Sequence, residues 1–281
     1  MSFEIGLIAA LIAAICWGSY FVPMKKVKQY DPFYFQALMC VAIFISSAAV
    51  SLYYNSFSLS YYGIISGAIW AVGNMLSAFA VKEAGLTKAV PIWVAFATTG
   101  AFLSGVFFFN ESFNSILMSV AGLILIMAGV FVVSSTNEEK IPSNFKGIVL
   151  AVISGMIFGV YLIPLKLANV EPTTFLFPMS VGALITGLLI YLLKRSPIDK
   201  SIILPGFLSG LVWNVANFAS FFVVANLGLA LGFPLTQIAI FISVSWGLFY
   251  FKEITGKNSV RKLVVGAVVL FIGAIVLALA K

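Results

Sequence analysis

Histidine is absent from this chain, and acidic residues number only nine in 281. The first absence removes the usual general base and the commonest nitrogen ligand for a metal. The second removes clustered carboxylates. Glu4, Asp31, Glu83, Glu111, Glu138, Glu139, Glu171, Asp199 and Glu253 all stand at the ends of apolar segments or between them. No HExxH run, glycine-rich phosphate loop or Ser/His pair is present. The sequence therefore offers no catalytic residue, no metal site and no cofactor site, and the expectation is a protein that is not an enzyme. A proton-coupled carrier often keeps an ionisable group inside its bundle; none is evident here, and the coupling ion stays unassigned. Cysteine is scarce as well. Cys16 and Cys40 both fall in apolar stretches, so a disulfide between exposed loops is not indicated.

Charge of either sign is rare: 9% of residues are charged and 62% are hydrophobic. A soluble domain is about a quarter charged and half apolar, so most of this surface needs lipid as its solvent. Apolar stretches run over 5–24, 33–53, 60–81, 87–109, 113–134, 147–166, 173–193, 203–225, 229–251 and 259–280. A spanning helix takes about 20 residues, and in hydrocarbon the backbone must bond within itself. A β-barrel would show alternating strands of about ten residues, but these stretches are continuous and twice as long. The fold expected is an all-α membrane protein with ten transmembrane helices. The first stretch does not read as a signal peptide, because Lys25, Lys26 and Lys28 follow the apolar run and do not precede it.

The net charge of +7 raises nucleic acid as a partner, but its distribution argues against one. With ten crossings the odd-numbered loops hold Lys25, Lys26, Lys28, Lys82, Lys88, Lys140, Lys146, Lys194, Arg195, Lys200, Lys252, Lys257, Arg261 and Lys262; the other side holds only Lys166 and Lys281. Cytoplasmic loops accumulate Lys and Arg. A multi-pass protein of the cell membrane is expected, with both termini outside and the basic loops in the cytoplasm against an anionic leaflet.

The chain also repeats itself. Trp17-Gly18-Ser19-Tyr20-Phe21-Val22-Pro23-Met24-Lys25 aligns with Phe158-Gly159-Val160-Tyr161-Leu162-Ile163-Pro164-Leu165-Lys166 at an offset of 141. Asp31-Pro32 answers Glu171-Pro172. Gly67, Trp70, Asn74, Ser77 and Phe79 answer Gly210, Trp213, Asn217, Ser220 and Phe222 at an offset of 143. Gly85-Leu86 and Pro91 match Gly228-Leu229 and Pro234, and Phe109-Asn110-Glu111 matches Phe251-Lys252-Glu253. Residues 1–136 then form a first five-helix repeat and 145–281 a second, with 137–144 connecting them. An odd number of crossings in each half sets the halves in opposite orientations. Inverted repeats of this kind are a recurring transporter plan, with substrate held near the midplane between them.

Trp70, Asn74 and Ser77 are spaced i, i+4, i+7 and share one helical stripe, as do Trp213, Asn217 and Ser220. A mid-membrane carboxamide must face protein or a wet cavity. It brings donors and an acceptor, and tryptophan brings a flat apolar face; sugar hydroxyls and C–H faces suit that pair. Bonds between helices are the structural alternative for Asn74 and Asn217, and Asn214 has no matching Asn at Ala71. Gln237 lies deep in the ninth stretch. Pro91 and Pro234 break the donor ladder inside their spans, as packing kinks or as gating breaks. Trp17 is placed deeper than Tyr20 and is the better pocket candidate. The candidate substrate-binding set is Trp17, Trp70, Asn74, Trp213, Asn214, Asn217 and Gln237.

These residues also carry a resemblance. Trp17-Gly18-Ser19 with Phe21-Val22-Pro23-Met24-Lys25-Lys26, then Gly67-Ala68-Ile69-Trp70-Ala71-Val72-Gly73-Asn74, resembles the glucose/ribose porter group of the drug/metabolite transporter superfamily. That group takes in bacterial glucose-uptake and rhamnose-transport proteins and the eukaryotic transmembrane protein 144 type. Leu204–Trp213, Phe233–Gln237 and Trp246–Glu253 extend the resemblance through the second half. Where bacterial members repeat a Gly-Asn pair in helix 8, this chain has Ala216-Asn217, with Asn214 beside it. The resemblance implies ten helices in inverted repeats, a central site between helices 1–4 and 6–9, peripheral helices 5 and 10, and uptake of a carbohydrate such as glucose. An exporter of amino acids, nucleobases or other metabolites on the same scaffold is the alternative, and a non-transporting membrane protein is a third.

Overall fold

Asp31-Pro32 illustrates how the helices begin. The Asp31 carboxylate accepts from the backbone N–H groups of Phe33 and Tyr34, both at 2.9 Å. Proline follows at the first helical position, where its missing donor has no role. Ser2, Ser115 and Asn144 cap three further helices with their side-chain oxygens. The computed structural model describes residues 2–23, 27, 30–84, 86–135, 144–251 and 256–280. Among them are twelve α-helices and no strand. They are α1 Phe3–Ser19, α2 Pro32–Tyr53, α3 Tyr61–Ala84, α4 Leu86–Leu103, α5 Ile116–Ser134, α6 Phe145–Val160, α7 Ile163–Ala168, α8 Pro172–Lys194, α9 Ile203–Leu227, α10 Leu229–Leu235, α11 Ala239–Ser245 and α12 Lys257–Leu279.

Two of the apolar stretches are broken helices, and a proline stands at each break. The Val160 carbonyl would bond the N–H of residue 164, which is proline. The chain leaves α6 at Val160 and restarts at Ile163. Ser66 meets the next carbonyl, within the break, donating its hydroxyl to Tyr161 O at 2.6 Å. Pro234 likewise denies a donor to the Ala230 carbonyl. There α10 ends at Leu235, a 3₁₀ turn covers Thr236–Ile238, and α11 resumes. The Thr236 hydroxyl and the Gln237 side-chain amide both donate to Phe233 O, at 2.6 and 3.2 Å. Pro91, the counterpart of Pro234, leaves α4 continuous. Both α4 and α11 run into one π-helical turn, at Ser104–Phe108 and Trp246–Tyr250.

Seven helical stretches among the described residues are long and apolar enough to cross a membrane, and three shorter apolar ones are Phe3–Ser19, Ile92–Phe108 and Leu229–Ser243. Their outward faces carry exposed Ile8, Leu11, Leu117, Ile124, Phe131, Leu189 and Ile275. So much contiguous apolar surface marks a lipid-facing exterior.

Inside, α3 lies against α6 and α8, α9 against α1 and α2, and α4 against α6 and α10. The α5–α12 pair makes the most extensive contact. Its glycines face each other: a Cβ on Gly122 would stand 2.9 Å from Gly273 O, and one on Gly129 2.7 Å from Gly266 O. Backbone approach this close is what small residues permit between membrane helices. The central core gathers Met39 and Ile43 from α2, Trp70 from α3, Phe175 and Met179 from α8, and Trp213 and Phe221 from α9.

Candidate functional site

The helical stripes anticipated on α3 and α9 do meet. Trp70 and Trp213 lie 4.0 Å apart by ring centroid, tilted by 35°, and are 1% and 5% exposed. One turn further along each helix sit Asn74 and Asn217, both buried. The third member of each stripe is bonded alike: Ser77 Oγ donates to Asn74 O at 2.8 Å and Ser220 Oγ to Asn217 O at 2.6 Å. The two copies therefore share a backbone setting to within 0.2 Å in that bond.

Their side chains have different partners. Asn74 donates its amide to Gln36 Oε1, and Gln36 in turn reaches Cys40 Sγ at 3.5 Å. Gln36 is 2% exposed, one turn into α2. Asn217 donates only to the thioether of Met179, at 3.2 Å, and its Oδ1 has no partner although the residue is fully buried. Asn214 is pinned to α2, donating to Ser46 Oγ at 2.8 Å and Ser47 Oγ at 3.0 Å, with its own Oδ1 unpartnered. Gln237 is committed locally, to Phe233 O and Thr236 Oγ1. Trp17 packs on Phe233 with ring centroids 6.3 Å apart, and its indole N–H has no acceptor. A buried polar atom without a partner costs about 1–3 kcal/mol, so these three atoms, one donor and two acceptors, stand out within a single candidate set.

One further polar group lies away from the tryptophans. Glu111, whose side chain is 7% exposed, accepts from Leu229 N at 2.8 Å and Ala230 N at 2.9 Å and is ion-paired with Lys166. The Lys166 ammonium also sits 4.5 Å from the centre of the Phe109 ring. This cluster ties the end of α4 and the start of α10 to α7. Sequence reasoning left Glu111 as an acid at a segment end, because its partners are 55 and 118 residues away. It also passed over Gln36 and the Ser46–Ser47 clasp. Gln36 sits next to the expected start of its span, and serine in an apolar helix carries little signal of its own.

A cavity of about 370 Å³ lies elsewhere, lined by Ala95, Ile124, Met127, Ala128, Val130 and Phe131 of α4 and α5. Its lining side chains are all apolar and offer nothing to orient a polar ligand. Among the described residues no group of His, Cys, Asp and Glu is arranged to hold a metal.

A family profile described as Sugar transport protein matches residues 7–280. The chain belongs to that family. Among its relatives, a probable glucose uptake protein GlcU of Priestia megaterium is 30% identical, over 97% of this chain and 98% of its own. The glucose uptake protein GlcU of Bacillus subtilis (strain 168) is 28% identical, over 98% of each. A putative sugar uptake protein of Lactiplantibacillus plantarum is 26% identical, over 98% of this chain and 99% of its own. One solved crystal structure, at 18% identity, superposes with a TM-score of 0.78 over 98% of this chain and 97% of that one, a likeness of fold alone. As a member of the sugar transport family the chain is a multi-pass membrane transporter.

Proposed function

We propose that this protein takes up a monosaccharide such as glucose by alternating access, at a central site between two inverted five-helix halves. The observation that carries the reading is the pairing of Trp70 with Trp213 at 4.0 Å, with a carboxamide one turn beyond each. Flat indole faces match sugar C–H surfaces, and amides match hydroxyls.

The helix contacts support the two-fold plan. The seven long spans and three shorter apolar helices are read as ten crossings. Let α1 correspond to α6–α7, α2 to α8, α3 to α9, α4 to α10–α11 and α5 to α12. Contact of α3 with α8 is then answered by α9 with α2, α1 with α9 by α6 with α3, and α4 with α6 by α1 with α10 and α11; α2 with α8 and α5 with α12 answer themselves. The π-helical turns fall at corresponding places as well. The halves are residues 1–136 and 145–281. The path runs at the depth of Trp70 and Trp213, flanked by Trp17, Asn214 and Asn217, while Pro234 and its counterpart Pro91 mark the helices that flex. Asn74 and Gln237, expected on the path, are tied to protein partners and contribute to its walls. Both termini face outward, and the basic loops face the cytoplasm.

Reconstitution tests the reading. Purified protein in proteoliposomes should show saturable uptake of labelled glucose or another monosaccharide, and ligand-free protein should be stabilised by the same sugar. Absence of saturable uptake for every monosaccharide, with efflux of preloaded amino acids or nucleobases, would replace this reading with the exporter.

A further inference from the structure

We infer that the two halves do not share the substrate equally: the indole N–H of Trp17 and the carboxamide oxygen of Asn217 each engage a hydroxyl of the ligand, and the repeat-related Asn74 is withdrawn from binding by Gln36. This inference rests on the sugar-uptake reading.

Asn74 and Asn217 begin as equals, on matched helices with matched serines bonded to their carbonyls. The neighbouring helix makes the difference. Asp31-Pro32 aligns α2 with Glu171-Pro172 of α8, and at that register Gln36 of α2 answers Leu176 of α8. Where the first half supplies an amide that takes up the Asn74 donor, the second supplies an alkyl group. Asn217 is left with a thioether for its N–H and nothing for its oxygen.

Trp17 supplies the complementary lack, a buried donor without an acceptor. Its depth matches. Gly6 of α1 faces Leu227 and Asn226 of α9. The helices run past each other in opposite directions, so eleven residues onward along α1 is Trp17, and ten to eleven residues back along α9 are Asn217 and Ala216. A ligand held at this depth has to accept from Trp17 and to donate to Asn217. An ammonium cannot accept, a carboxylate cannot donate, and a hydroxyl does both. No charged side chain belongs to this pair, so it offers an ionic ligand no counter-charge. Asn214, one turn before Asn217, offers a second unpartnered oxygen on the same helix, which fits a ligand with neighbouring hydroxyls.

Detergent-purified full-length protein is titrated with glucose, with each of its monodeoxy analogues and with uracil, reading the ligand-dependent rise in melting temperature. Asn217→Leu should melt no lower than wild type without ligand, since it replaces an unpartnered oxygen and one bond to a thioether with an alkyl group, while Trp17→Phe loses some packing on Phe233; both should bind glucose at least about tenfold more weakly. One monodeoxy sugar should bind wild type as weakly as glucose binds Asn217→Leu, and should lose nothing further in that variant, an interaction that a purely structural role would not produce. Asn74→Leu should lower the ligand-free melting temperature, because it strands Gln36. Asn226→Leu, at the far end of α9, should bind glucose as wild type does. Glucose binding by Asn217→Leu equal to wild type, additive losses in every variant–analogue pair, or preference for uracil over all sugars would overturn the inference while leaving a transporter in place. No response of wild type to any sugar would remove the sugar reading itself, and this assignment with it.

Discussion

Gly67 marks the tightest point of the α3–α8 seam, and Gly67→Ala measures that packing directly. A methyl group there would stand 1.9 Å from Met179 O and 2.6 Å from Ala183 N. Unbonded carbon and oxygen settle at about 3.3–3.6 Å, so the helices must part by on the order of 1.5 Å. Both obstructing atoms belong to backbone, and no side-chain rotation relieves them. Overpacking costs about 1–3 kcal/mol and occasionally more, and this clash sits at the top of that range, near 3. Replacing a helical glycine by alanine returns about 1 kcal/mol, which leaves a net loss of about 2 kcal/mol. Gly100 is the internal comparison. There the same methyl meets Gly159 Cα at 3.3 Å and nothing else closer than 3.8 Å, so the expected change runs from nil to a gain of about 1 kcal/mol. Gly210, the repeat mate of Gly67, meets Met39 O at 2.7 Å and Ala42 Cβ at 2.8 Å and falls between the two. For a chain of this size 1 kcal/mol moves the melting temperature by roughly 2–4 °C. Gly67→Ala should therefore melt about 4–8 °C below wild type in detergent, with Gly210→Ala intermediate and Gly100→Ala undiminished. Equal melting of Gly67→Ala and Gly100→Ala would refute this account of the seam.

Lys166→Met leaves the Glu111 carboxylate with only its two backbone donors; because Lys166 is 26% exposed, the loss is about 1–3 kcal/mol, below that of a fully buried pair, and should appear as a lower melting temperature. In a background with Cys16 and Cys40 replaced, Ser58→Cys should react with a membrane-impermeant thiol reagent on intact cells and Lys200→Cys only after permeabilisation; the reverse pattern would invert the orientation. Pro234→Ala restores a backbone donor at the α10 break and should slow sugar uptake by more than it changes the melting temperature, with uptake rate and melting followed on the same preparation.

Much of the architecture was legible because lipid is a demanding solvent. Helices that cross it need long apolar runs, so each helix described above falls within one of the expected stretches or close to its ends. The stripes were legible because Trp70 and Trp213 recur with the same followers. The interruption at Tyr161–Leu162 was not, although Pro164 had been aligned with Pro23. Proline in a membrane helix is tolerated where neighbours meet the backbone groups of the break, and the neighbour that meets Tyr161 O, Ser66, lies 95 residues away. The unequal partners of Asn74 and Asn217 were hidden for the same reason. Each depends on which side chain a different helix brings alongside, and periodicity within one helix carries no record of that.

The facing glycines of α5 and α12 have a mechanical consequence. These two helices fall in different halves of the proposed plan, yet their backbones interlock at two levels, and the Ala280 carbonyl accepts from Asn114 N at 2.8 Å where the pair ends. Of the contacts that cross the two halves proposed above, this one is the most extensive, and any motion that opened it would have to part backbones at two glycine levels. On the alternating-access reading, α5 and α12 should then keep their contact through a transport cycle, and the larger excursions should fall to the helices farthest from them.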